Sequence, residues 1–196
     1  MSSRSLVILC VFIMSWGCAA STQITNTPRS TIEQRLLVRA LERALVKLDV
    51  QALKGKTLAV DFHGLTGDKD FAKEYFTAWL QRQGIRIAAS PEEAQLRVKA
   101  FASALGVDRA QSFFGSPAFT VPLIGFVVPE IPLFKDVRHS GYAEINLFAT
   151  DSRTGDFVNE SAPAIGSSTH DDYTILVVIN FTDTDLETAD PKNAEG

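Results

Sequence analysis

The chain has 196 residues, 45 % of them hydrophobic and 21 % charged, enough for one domain with a core and short tails. Its formal net charge of -4 excludes the basic field that nucleic acid or an anionic lipid surface would require. No nucleic-acid partner is expected.

Residues 1–17 read as a signal peptide. Arg4 supplies a positive start, Leu6 to Met14 an apolar run too short to span a bilayer, and small residues follow. Cys18 follows Ser15-Trp16-Gly17, and here the chain resembles the bacterial lipobox, in which a small residue precedes a Cys that receives diacylglycerol. It has Ser15 where that pattern favours Leu, and the bulky Trp16 beside it. Cleavage after Ala20 is the alternative, and would discard Cys18. With Cys10 lost in the leader and Cys18 lipidated, the exported domain would hold no thiol to oxidise or mispair. Ala19 after the Cys implies, on the lipoprotein pattern, transfer to the outer membrane, facing the periplasm. The several acyl chains of such an anchor, palmitate among them, hold where one chain would not.

Residues 18–29 are polar and Pro-containing, a lipid-anchored tether. Ser30-Thr31-Ile32-Glu33 reads as a capping box, and behind it Leu36, Leu37, Ala40, Leu41, Ala44, Leu45 and Leu48 recur at helical spacing. Residues 57–62 form a strand, Asp68 or Asp70 can cap a second helix over 71–83 that ends at Gly84, and 85–87 form the next strand. The β–α–β piece predicts a parallel pair. Residues 95–101 and 141–149 alternate like half-exposed strands, and 151–155 make a hairpin turn. The β-branched run Tyr173 to Phe181 reads as one strand buried on both faces. Residues 30–182 are thus a single α+β domain: a small mixed sheet, two main helices packed on it and a long apolar loop. Residues 183–196 read as a disordered acidic tail.

That loop is the unusual segment. Between Arg109 and Lys135 the only charge is Glu130, and Phe and Pro abound. Pro117, Pro122, Pro129 and Pro132 forbid a regular helix and confine any strand to an edge. Phe119, Ile124, Phe126 and Val128 surround Gly125, which could turn a short hairpin and project its tip. Something must cover these residues: the protein's own sheet, another copy, or the membrane.

Chemistry is sparse. His170-Asp171-Asp172 reads as a turn, and Asp108-Arg109 as an ion pair at the base of the loop. Asp61 and His63 share one side of a strand end, where a catalytic or ligand-binding pair could lie. No nucleophile elbow, P-loop or dinucleotide fingerprint is present, and no catalytic residue, metal or cofactor is expected.

Four segments, Ser30 to Leu37, Ala104 to Arg109, Pro129 to Lys135 and Leu147 to Asp151 with Thr154-Gly155, resemble a family of uncharacterised bacterial lipoproteins. Their layout is similar to the periplasmic domains of the curli secretion-channel lipoprotein, the penicillin-binding-protein activator lipoprotein and the N-terminal domain of the Tol translocation protein. That likeness implies a helix-covered sheet that binds or assembles in the cell envelope, as a homo-oligomer or with an envelope protein, rather than one that catalyses.

Overall fold

The structure is a computed structural model that describes residues 19–23 and 29–186. Cys18, the leader and residues 187–196 lie outside the described residues. The fold is α+β, but the sheet is large: eight strands, against the small sheet the sequence suggested.

Helix α1 (Thr31–Lys47) begins at the capping box read from the sequence. The Ser30 N–H donates to Glu33 Oε2 at 2.8 Å, and the Glu33 N–H donates to Ser30 Oγ at 3.3 Å. Helix α2 (Lys69–Arg82) starts at Asp68, whose side chain makes no cap bond and pairs with Arg29 at 2.8 Å. It stops where Gly84 takes φ +79°. Strand β2 (Thr57–Gly64) runs parallel to β3 (Arg86–Ile87), as a crossover through α2 requires.

The spine is a long antiparallel hairpin of β4 (Leu96–Ser116) and β7 (Ile131–Asp151). On one edge of it, β2 lies parallel to β4, and β1 (Ala19–Gln23) runs antiparallel to β4 beyond the end of β2. On the other edge, β8 (Phe157–Glu160) and β9 (Ala164–Ile175) pair with β7, and β10 (Ile179–Thr184) closes the sheet against β9. A bulge at Ser103 resets the alternation of β4, so the buried set passes from Leu96, Val98, Ala100 and Ala102 to Leu105 on the same face.

Both helices cover that face. Leu37, Leu41 and Leu45 of α1 and Phe76 and Leu80 of α2 join Ile145 and Leu147 of β7 in one core. Two glycines let α1 sit close. A Cβ on Gly166 would lie 2.0 Å from the Ala40 carbonyl, and one on Gly141 would lie 2.5 Å from the Leu36 carbonyl. The Ser168 hydroxyl, fully buried, donates to Leu36 O at 2.7 Å.

Several sequence expectations are revised. The first residues of the expected tether, Ala19–Gln23, are strand β1, because β4 offers an unpaired edge there. The apolar segment is no structureless loop: β4 and β7 run into it, and β5 (Phe119–Thr120) and β6 (Val127–Val128) form a further hairpin at its tip. Tyr173 to Phe181 is not one buried strand. The chain reverses at Leu176 to Val178, and Ile179 folds back opposite Ile175. His170 to Asp172 lie within β9, not in a turn. The domain extends past residue 182: Asp185 accepts a bond from Arg43 and from the Thr169 N–H, and Leu186 is buried.

Candidate functional site

Asp61 and His63 do share a face, but it is the one the helices leave open, and both are exposed. They have different neighbours. Asp61 faces Arg97 at 3.9 Å, while the His63 ring stacks on Phe101 at 5.1 Å between centroids. Phe101 in turn meets Phe148 edge-on at 5.6 Å. The two hollows beside them are separate, one lined by Asp61 and Arg97, the other by His63, Leu65 and Phe101. Among the described residues, Asp61 and His63 form no ion pair with each other.

A broad groove lies between the helices and holds Glu42, Arg43, Lys47, Tyr75 and Trp79. The Tyr75 hydroxyl donates to Glu42 Oε1 at 2.6 Å. Burial, helped by that bond to a carboxylate, pushes the phenol up to about 12. The Lys47 ammonium donates to the Ile165 carbonyl at 2.7 Å, and Arg43 to the Ser167 carbonyl and to Asp185. These cations fasten α1 to the sheet and to the last described residues.

Where α1 begins, Arg109, His139 and His170 occupy one cross-strand row on the helix face. Burial, then the neighbouring Arg109 charge, lowers the His139 pKa. Asp108 and Arg109 are successive strand residues on opposite faces, so they do not form the expected pair across the base of the loop. Among the described residues no group of three or more His, Cys, Asp or Glu could hold a metal ion.

The remaining feature is the end of the sheet where β4 gives way to β5. Phe119 sits opposite Val128, and the turn between them is closed by the Val121 N–H to Phe126 O at 2.8 Å. Leu123 and Gly125 take φ +79° and +64°. The structure brings Phe119, Ile124, Phe126 and Val128 together on this tip. The first three are exposed, Ile124 by 74 % and Phe126 by 60 %, and Val128 is half-buried. The β9–β10 turn lies at the same end, where the Leu176 and Val177 N–H groups donate to the Leu133 and Pro132 carbonyls, each at 3.0 Å. It adds exposed Leu176, Val177, Val178 and Ile179, which the sequence reading had buried in a strand. No glycine, proline or asparagine marks that turn. Its one sequence signal is Asn180 just beyond it.

Comparison with known family models, with curated proteins and with solved structures finds no match.

Proposed function

We propose that this protein is a lipid-anchored cell-envelope module, held by an acylated Cys18, that works by interaction and not by catalysis. The exposed apolar end of the sheet is its working surface. The observation that carries this reading is the placement of large side chains there. Leu123, Ile124, Phe126 and Val178 stand in solvent, while the candidate chemical pair, Asp61 and His63, has neither mutual contact nor a shared cavity. A soluble domain that leaves such residues uncovered has a use for them, because contiguous apolar patches invite association.

The leader and Gly17-Cys18 support the anchor, and the described residues include no helix long and apolar enough to cross a membrane. An outer-membrane address facing the periplasm follows from Ala19 on the lipoprotein pattern. The test is metabolic fatty-acid labelling of cells expressing wild type and Cys18→Ser. Wild type is expected to carry label and sediment with membranes, and Cys18→Ser to carry none. Wild-type protein that is unlabelled and soluble, with Ser21 as its first residue, would overturn the anchored reading.

A further inference from the structure

The apolar end resolves into rows across the sheet. Phe114, Phe134, Ile175 and Ile179 stand side by side on β4, β7, β9 and β10. Two rows further from the tip, Ser112, Asp136, Tyr173 and Phe181 are aligned, with the two rings stacked at 4.8 Å. Two rows beyond that come Arg138 and Asp171, bonded at 2.9 Å. On this face the order is apolar, then two aromatic rings beside the Ser112 hydroxyl and the Asp136 carboxylate, then a charged pair. A membrane–water boundary imposes that order on side chains.

The backbone suits lipid as well. Spanning or dipping segments must satisfy their own N–H groups. Pro117, Pro122, Pro129 and Pro132 have none, and the Val121, Gly125, Leu176 and Val177 N–H groups all donate within the two turns or to β7. Glu130, the one charge between Arg109 and Lys135, is paired with the Lys135 ammonium at 2.8 Å.

Three non-glycine residues among those described have positive φ: Leu123, Leu176 and Val177. All three are exposed, apolar and in these two turns. Gly or Asn would take that conformation without strain, and a β-branched residue there is a true outlier. Strain kept for the sake of an exposed apolar side chain points to a function for that side chain.

What meets the surface is decided by the first strand. β1 runs antiparallel to β4 with Gln23 opposite Arg109 and Ala19 opposite Phe113, one row from Phe114. The residue bonded to Ala19 is Cys18, and successive Cα atoms are about 3.8 Å apart. The N-terminal end of β1, to which Cys18 is joined in sequence, therefore lies at the apolar end.

We propose that the 119–128 tip and the 176–179 turn dock into the surface of the lipid bilayer. On the anchored reading above, this is the bilayer that holds the Cys18 acyl group, so lipid and tip form a two-point attachment. The second contact is intramolecular once the first is made, which multiplies a weak insertion into a firm one. Since the surface is apolar and the chain carries a net -4, docking does not depend on anionic headgroups.

The experiment uses the full chain, purified from membranes and reconstituted into phosphatidylethanolamine–phosphatidylglycerol vesicles with brominated acyl chains. Phe126→Trp places a fluorophore at the tip. Phe157→Trp places one at an exposed position near the far end of β7, and wild type supplies the background of the native tryptophans, Trp79 at 9 % exposed and Trp16 wherever the leader is retained. Phe126→Trp is expected to lose most of its emission to bromine and Phe157→Trp none, equally in vesicles without phosphatidylglycerol. Unquenched Phe126→Trp in a vesicle-bound chain would overturn the proposal. So would quenching that needs phosphatidylglycerol, or a blue shift that grows with protein concentration and ignores bromine, since the last marks a second copy as the occupant. Quenching of Phe126→Trp in a chain that carries no acyl group would sink the anchor and leave the docking standing.

Discussion

The two halves of the β4–β7 hairpin share their strands and their ladder, yet they live in different surroundings. From Leu96 to Ala102 every second residue of β4 is 5 % exposed or less, and from Ala143 to Ala149 the same holds for β7. Toward the tip, residues 106–116 and 131–140 include no buried side chain. Lengths explain much of the difference. A helix of 17 residues covers about 26 Å, whereas a strand of 21 residues reaches about 70 Å. The helices cover the first half and run out. Apolar sequence alone therefore did not decide what became core: Phe119 and Ile124 are as hydrophobic as Phe76 and Ile145, and only the latter have a layer above them.

The covered half should be the more sensitive to truncation. Leu41 is wholly buried at the centre of α1, and Leu41→Ala is expected to cost about 2–5 kcal/mol, read as a drop in melting temperature of roughly 5–15 °C. An unchanged melting temperature would mean that α1 is not seated on the sheet.

The first helix was legible because its signals are local. Ser30 and Glu33 lie three residues apart, and the leucine stripe repeats within the segment. The parallel β2–β3 pair was legible for the same reason. The apolar end was half legible. Gly125 and its neighbours announced a hairpin, but the prolines hid the strands that carry it. Pro117, Pro122 and Pro129 fall between strands, and Pro132 sits where the register shifts beside Gly115, the positions that proline tolerates. The β9–β10 reversal was opaque, because Leu176 and Val177 adopt positive φ against their own preference. A turn that breaks turn chemistry cannot be read by it. Strand β1 was opaque too, since its partner lies about ninety residues along the chain.

That strain gives the next expectation, opposite in sign. Val177→Asn replaces an exposed β-branched residue at φ +70° with one that tolerates the conformation. It should raise stability by about 1 kcal/mol, seen as a later urea midpoint with an unchanged slope. A loss of stability would show that the Val177 side chain packs on the protein itself.

A smaller effect sits where the two halves meet. His139 is held below its ordinary value by burial and by Arg109, with His170 adding a further repulsion and Glu33 and Asp172 opposing. As pH falls through about 6.5 the unfolded chain takes up a proton that the folded chain resists, so stability declines on the acid side. His139→Gln should flatten that part of the profile, as measured by melting temperature between neutral and mildly acid pH. A profile as steep as wild type would remove His139 from the account.

The smallest expected effect is the most informative. Ile124→Ser combined with Phe126→Ser removes two large side chains from the tip without touching the helix-covered core. If the apolar end is a surface for something outside the protein, the melting temperature of this variant should stay within about 2 °C of wild type. A fall as large as that expected for Leu41→Ala would show that the protein's own sheet covers the tip, and would contradict the account.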